Sequence, residues 1–135
     1  MDYQQVVDYW HKTAAHDIKV MRSLFRSHYY SDALFYGQLV LEKLLKAKVV
    51  ETTKRQAPKI HDLVRLAQMA NLSLTDPEIA FLDEMSEFNI EARYPDYRLR
   101  MYRLATKVFT WFRLKQVEKF YHTYGKTLSS KTKNQ

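Results

Sequence analysis

The sequence predicts an all-α protein, an up-and-down antiparallel bundle of four long helices plus one short helix. Three observations lead there. Apolar residues recur at spacings of three and four along most of the chain, which is the helical signature. No segment alternates with the period of a strand, and no internal repeat is visible. Only two glycines and three prolines occur in 135 residues; glycine alone averages about 7% in ordinary proteins, and all-β folds consume such turn residues. The length fits one domain, and 46% hydrophobic residues are ample for a core. The bundle is expected over residues 1–124, with residues 125–135 as a disordered basic tail, because KTLSSKTKNQ has almost no apolar content.

The first helix is predicted over about residues 2–27. Tyr3, Val7, Trp10, Ala14, Ile18, Met21 and Phe25 draw one apolar stripe, and Lys12, Lys19, Arg22 and Arg26 lie off it. After a break at residues 28–32, Ser31 or Asp32 can cap a second helix over about 32–50. That helix is apolar on most of its circumference, so it should be central. Its clearest polar line is Gln38–Glu42–Lys46, with Lys43 beside it. Residues 51–59 form a polar loop, and a short helix follows over 60–70 with Ile60, Leu63, Val64 and Ala67 on one face. Thr75-Asp76-Pro77-Glu78 is a strong helix start, either as a capping box or with Asp76 capping and Pro77 first. That helix is expected to reach Ala92, burying either Ile79, Leu82, Met85 and Phe88 or Phe81, Met85 and Phe88. Tyr94-Pro95-Asp96 then breaks the chain, because a residue before proline avoids the helical region, and Asp96 can cap the last helix. That helix should run over 97–124 with Leu99, Tyr102, Ala105, Phe109, Phe112 and Phe120 near one face and Arg100, Arg103 and Lys107 as a basic ridge.

Composition excludes several chemistries. Gly37 and Gly125 are the only glycines, so neither a P-loop nor a dinucleotide fingerprint exists. The absence of cysteine removes disulfides, thiol catalysis and cysteine zinc sites. The five histidines form no HExxH and no ExxH pair, so no metal is expected. No local pattern marks a catalytic serine, and no cofactor is implied. No run of 18 apolar residues exists, so no membrane span is expected. MDYQQVVDYWHK has neither a basic n-region nor an apolar h-region; the reading is a cytoplasmic protein without a signal peptide.

The formal charge of +7 is unevenly placed. Residues 97–135 hold ten basic residues against Glu118 alone, whereas residues 1–96 hold twelve basic and fourteen acidic residues. One basic helix therefore faces something anionic, unless its charges are only a solvated face. His61 and Asp62 open the short helix. They are either a cap beside a core leucine or a histidine presented to a ligand phosphate. Arg93 and Tyr94 sit at the proline corner, and a guanidinium beside an aromatic face suits phosphate contact and base stacking.

Three stretches together resemble the HEPN family over about residues 4–120. Tyr9-Trp10 followed by Ala14-Ala15-His16-Asp17-Ile18 is similar to its W-x3-A-x2-D-[LI] opening. Phe35 to Ala47 is similar to its F-x-x-Q-x-x-x-E-K-x-L-K-A helix. His61-Asp62-Leu63 is followed after a spacer by Asn89-Ile90-Glu91-Ala92-Arg93-Tyr94-Pro95-Asp96. The resemblance implies a helical bundle, usually a homodimer, often encoded beside a minimal nucleotidyltransferase and in some cases part of a toxin–antitoxin module. It implies a nucleotide or RNA as ligand, with His61, Arg93 and Tyr94 as first candidates for contact and Lys43 and Lys46 as second ones. Gln38 and Glu42 match the second-helix motif; they are alternatively a polar seam that fixes the register of a helix pair or of a dimer.

One branch of that family cleaves RNA through R-x4-6-H in its C-terminal part. Here Arg22–His28 and Arg55–His61 have the spacing but lie elsewhere, and His122 is nine positions past Arg113. A non-catalytic binding protein is therefore expected, with an RNA-cleaving toxin and a purely structural dimer as the alternatives.

Overall fold

The computed structural model describes residues 2–90 and 93–125. Among the described residues there are six helices and no strand: α1 (Tyr3–Arg26), α2 (Tyr30–Thr53), α3 (Leu63–Met69), α4 (Asp76–Ser86), α5 (Pro95–Leu104) and α6 (Lys107–Tyr124). The expected tail, past Gly125, lies outside them.

Asp2 opens α1 with a capping box shared with Gln5. A three-residue connection, with His28 in the left-handed region at φ 67, folds α2 back against α1. α2 is the central helix that its all-round apolar sequence demands: α1, α3, α4, α5 and α6 all pack on it. It begins two residues earlier than expected. Tyr29 is the N-cap without a side-chain bond, and Asp32 falls in the first turn, where it complements the helix dipole. It also runs three residues further, and Lys54 ends it at φ 58 with its N–H donating to the Val50 carbonyl. Leu34, Leu41, Leu44 and Leu45 are buried against Ile18 and Met21 of α1, Leu63 and Leu66 of α3, and Leu82 and Met85 of α4.

Thr75 and Glu78 make the capping box that starts α4. α4 ends at Ser86, short of Ala92, and buries Phe81, Leu82 and Met85 while Ile79 stays exposed. The expected last helix is two helices. Pro95 takes the first position of α5 with Tyr94 as N-cap, and Asp96 lies inside the first turn. Thr106 then accepts the Phe109 N–H and caps α6. That break resets the helical phase, so one apolar stripe cannot run through both. Ala105 and Phe120 are buried as expected, but Leu99, Tyr102 and Phe112 are exposed, and α5 buries no residue. The inward face of α6 is Thr110, Leu114, Val117 and Phe120. No described helix is long and apolar enough to cross a membrane.

Candidate functional site

Two buried carboxylates, Asp17 and Glu42, and a half-buried one, Glu51, lie along the α1–α2 pair. Asp17 accepts from Lys43 Nζ at 2.5 Å and from His16 Nδ1 at 3.0 Å. Glu42 Oε1 accepts from Gln38 Nε2 and from His61 Nδ1, each at 2.9 Å, and its Oε2 accepts from Lys46 Nζ at 3.0 Å. Glu51 lies 3.7 Å from His11 Nε2, an ion-pair distance without a hydrogen bond, and 3.3 Å from Lys48 Nζ. Gln38, Glu42 and Lys46 are all buried within one chain, so the polar seam belongs to the helix packing and not to a surface. Burial, the largest influence on Glu42, pushes its carboxyl up; donation by Gln38, His61 and Lys46 outweighs this and holds it below the usual carboxylate range. Lys46 Nζ also stands 5.4 Å from the Trp10 ring centroid.

His61 precedes α3 rather than lying in it. Asp62 is the N-cap and accepts the Arg65 N–H at 3.1 Å. Ser86 Oγ accepts the Leu63 N–H at 2.9 Å and donates to the Leu82 carbonyl, which ties the start of α3 to the end of α4. A carboxylate only accepts, so the bond to Glu42 puts a proton on His61 Nδ1 and leaves Nε2 for other use. His61 therefore lines a cleft of about 270 Å3 with Asp62, Asp83, Ser86, Glu87, Asn89 and Arg93.

Arg93 closes the other side. Its Nη2 is 3.6 Å from Glu87, its guanidinium stands 4.9 Å from the Tyr97 ring centroid, and Glu87 also accepts from the Tyr97 hydroxyl. Burial, then that bond, raises the Tyr97 hydroxyl above its ordinary value. Arg93 Nε is buried and makes no hydrogen bond among the described residues. Tyr94, beside it, is 82% exposed. Lys43 and Lys46 do not open onto this cleft: each is bound to a carboxylate of the packed helices. The sequence reading missed Asp83 and Glu87, whose only signal was position on the stretch that leads into the Arg93 corner; Asn89 was quoted with the Arg93 motif but given no role.

Neither Arg-x5-His pair assembles a site. Arg22 is clamped on Glu118 at 2.8 and 2.6 Å, and His28 Nδ1 is 2.7 Å from the Tyr30 hydroxyl. Arg55 and His61 line different cavities. No group of three or more metal-ligating side chains is found among the described residues.

Comparison with curated proteins and with solved structures gave no match. The family model described as HEPN domain matches residues 7–127, nearly the whole chain, and membership supports a nucleotide- or RNA-related function in general. That match, borne by an all-helical chain, shows that the protein belongs to the HEPN domain family.

Proposed function

We propose that this chain is a non-catalytic HEPN protein that binds a nucleotide or a segment of RNA and docks a minimal nucleotidyltransferase, as one component of a toxin–antitoxin module. The observation that carries the binding reading is that His61 and Arg93, distant in sequence, line one cleft beside an exposed tyrosine. The Arg93 guanidinium holds a phosphate, His61 Nε2 donates to it when protonated, and Tyr94 stacks on a base. Lys46 neutralises the Glu42 carboxylate that holds His61 from behind, so that this acid does not repel the ligand. The separation of Arg55 from His61 in different cavities, and the engagement of Arg22 with Glu118 and of His28 with Tyr30, support binding without cleavage.

Three carboxylates share the cleft. Asp62 is engaged at its helix cap and Glu87 with Arg93 and Tyr97, which leaves Asp83 as the acid opposing an anion. Titration of labelled ATP and of a short single-stranded RNA at low salt tests the reading. Arg93→Ala should weaken binding about tenfold or more, and Asp83→Asn should tighten it several-fold. No binding of either ligand, or binding unchanged in Arg93→Ala, overturns it. Loss of full-length RNA during the titration favours the RNA-cleaving alternative.

A second reading concerns the partner, and α6 favours it. Val108 is 65% and Phe112 56% exposed, and Trp111, 42% exposed, lies between them one helical turn from Val108. Contiguous apolar surface of this kind marks a protein interface. We assign it to a second copy of the chain, which leaves Arg98, Arg100 and Arg103 of α5 for the acidic surface of a nucleotidyltransferase. Sedimentation equilibrium should give a dimer that Phe112→Glu converts to a folded monomer. A monomeric wild type overturns the dimer.

A further inference from the structure

Another cavity, of about 500 Å3, lies where the start of α1 meets the end of α2. Its walls are aromatic and basic: Tyr3, Tyr9 and Trp10 from α1, and Lys54, Arg55 and Gln56 from the turn that follows α2. The left-handed Lys54 makes this arrangement. It stops α2 and turns the next residues over the start of α1, so that Lys54 Nζ stands 4.2 Å from the Tyr3 ring centroid. Tyr9 and Trp10 pack edge to face at 5.3 Å, and Tyr9 remains exposed. No carboxylate lines the cavity, in contrast to the cleft at His61. Neither Lys54 nor Arg55 forms an ion pair among the described residues. Trp10 Nε1 is buried and makes no hydrogen bond among the described residues.

We propose that this cavity binds a small aromatic anion, a planar ring bearing a phosphate or carboxylate. The ring lies against Tyr9 and Trp10, and Lys54 and Arg55 hold the anionic group. Aromatic walls supply apolar and stacking contact at little conformational cost, and the two unpaired cations supply orientation. The volume suits a ring of one or two cycles with its charged group. Such chemistry has two sources, a free aromatic phosphate or the phosphorylated 5′ end of an RNA strand.

Phenyl phosphate is the probe, titrated calorimetrically and by NMR, with the indole N–H of Trp10 as the reporter. Binding should be saturable, should shift the Trp10 indole signal, and should be about tenfold tighter than for inorganic phosphate or for benzyl alcohol. Arg55→Ala and Tyr9→Ala should each weaken it by a similar factor, as should Lys54→Asn, which keeps a residue tolerant of the left-handed backbone. Arg93→Ala should leave it unchanged, so the failure of the cleft reading and the failure of this one are separate results. Competition by a 5′-phosphorylated oligoribonucleotide, but not by its 5′-hydroxyl counterpart, identifies the RNA end as the source. Competition by neither identifies a free molecule. The proposal is overturned if phenyl phosphate binds no better than inorganic phosphate. It is also overturned if Arg93→Ala abolishes binding while Arg55→Ala leaves it intact.

Discussion

Lys46→Met is expected to destabilise the fold by about 3 kcal/mol, read as a lower midpoint in urea unfolding. Lys46 and Glu42 are both nearly inaccessible, at 8% and 7% side-chain exposure, and the ammonium is the only full cation bonded to that carboxylate unless His61 is protonated. Removing it leaves a buried charge supported by hydrogen bonds from Gln38 and His61 alone. The cost is mostly the desolvation of an uncompensated carboxylate and not the intrinsic worth of the pair. The double variant Glu42→Gln/Lys46→Met should therefore recover much of the loss, because it removes the charge together with its partner. If the double variant is as unstable as the single one, methionine packing under Trp10 is at fault instead.

The same carboxylate sets a pH dependence. Its folded pKa is depressed, so its contribution to stability is present above the ordinary carboxylate range. The contribution is lost as pH falls through the lowered folded value. Glu51 acts in the same direction: His11 first holds its carboxyl down, and Lys48 assists. Acid unfolding of Glu42→Gln should consequently show a shallower pH slope than that of the wild type.

The helices were legible wherever a side chain caps its own backbone or the apolar period is unbroken. Thr75-Asp76-Pro77-Glu78 announces α4 because the capping box is a local chemical event, and the all-round apolar character of α2 announces its central place. The division of the last helix was not legible. Thr106 is an ordinary threonine in a helical sequence, and nothing local marks it as the extended residue whose side chain accepts the Phe109 N–H. Missing that break moved Leu99, Tyr102 and Phe112 from an exposed surface into an expected core. The candidate cleft was half legible. His61 and Arg93 stood out as chemistry at helix boundaries, whereas Asp83 and Glu87 look like any solvated acids on a helix and enter the cleft only through the α3–α4 packing pinned by Ser86. Lys43 and Lys46 misled for a related reason. A lysine on a mostly apolar helix reads as a free cation until its carboxylate, Asp17 on another helix or Glu42 one turn back, is seen to hold it.

Gly37→Leu is expected to cost about 3 kcal/mol and to push α6 away from α2. Gly37 lies in the buried middle of α2, in helical backbone, so its use is closeness and not conformational freedom. A Cβ there meets Leu114 Cδ2 and Val117 Cγ2 at 3.3 Å and Met85 Cε at 3.4 Å. Alanine fits if those three side-chain ends move by a few tenths of an ångström. The helix propensity gained, up to about 1 kcal/mol, offsets that crowding, so Gly37→Ala should lie within about 1 kcal/mol of the wild type. Leucine adds three more carbons to a space that holds none, and α6 has to rise. Thermal unfolding reads the stability difference. Sedimentation reads the consequence for assembly, because Val108 and Phe112 stand on the opposite side of the same helix and Trp111 on its flank. A displaced α6 carries that apolar face out of register, so Gly37→Leu should weaken the dimer together with the fold, whereas Phe112→Glu weakens the dimer alone. If Gly37→Leu lowers stability and leaves dimerisation intact, the interface lies elsewhere than on α6.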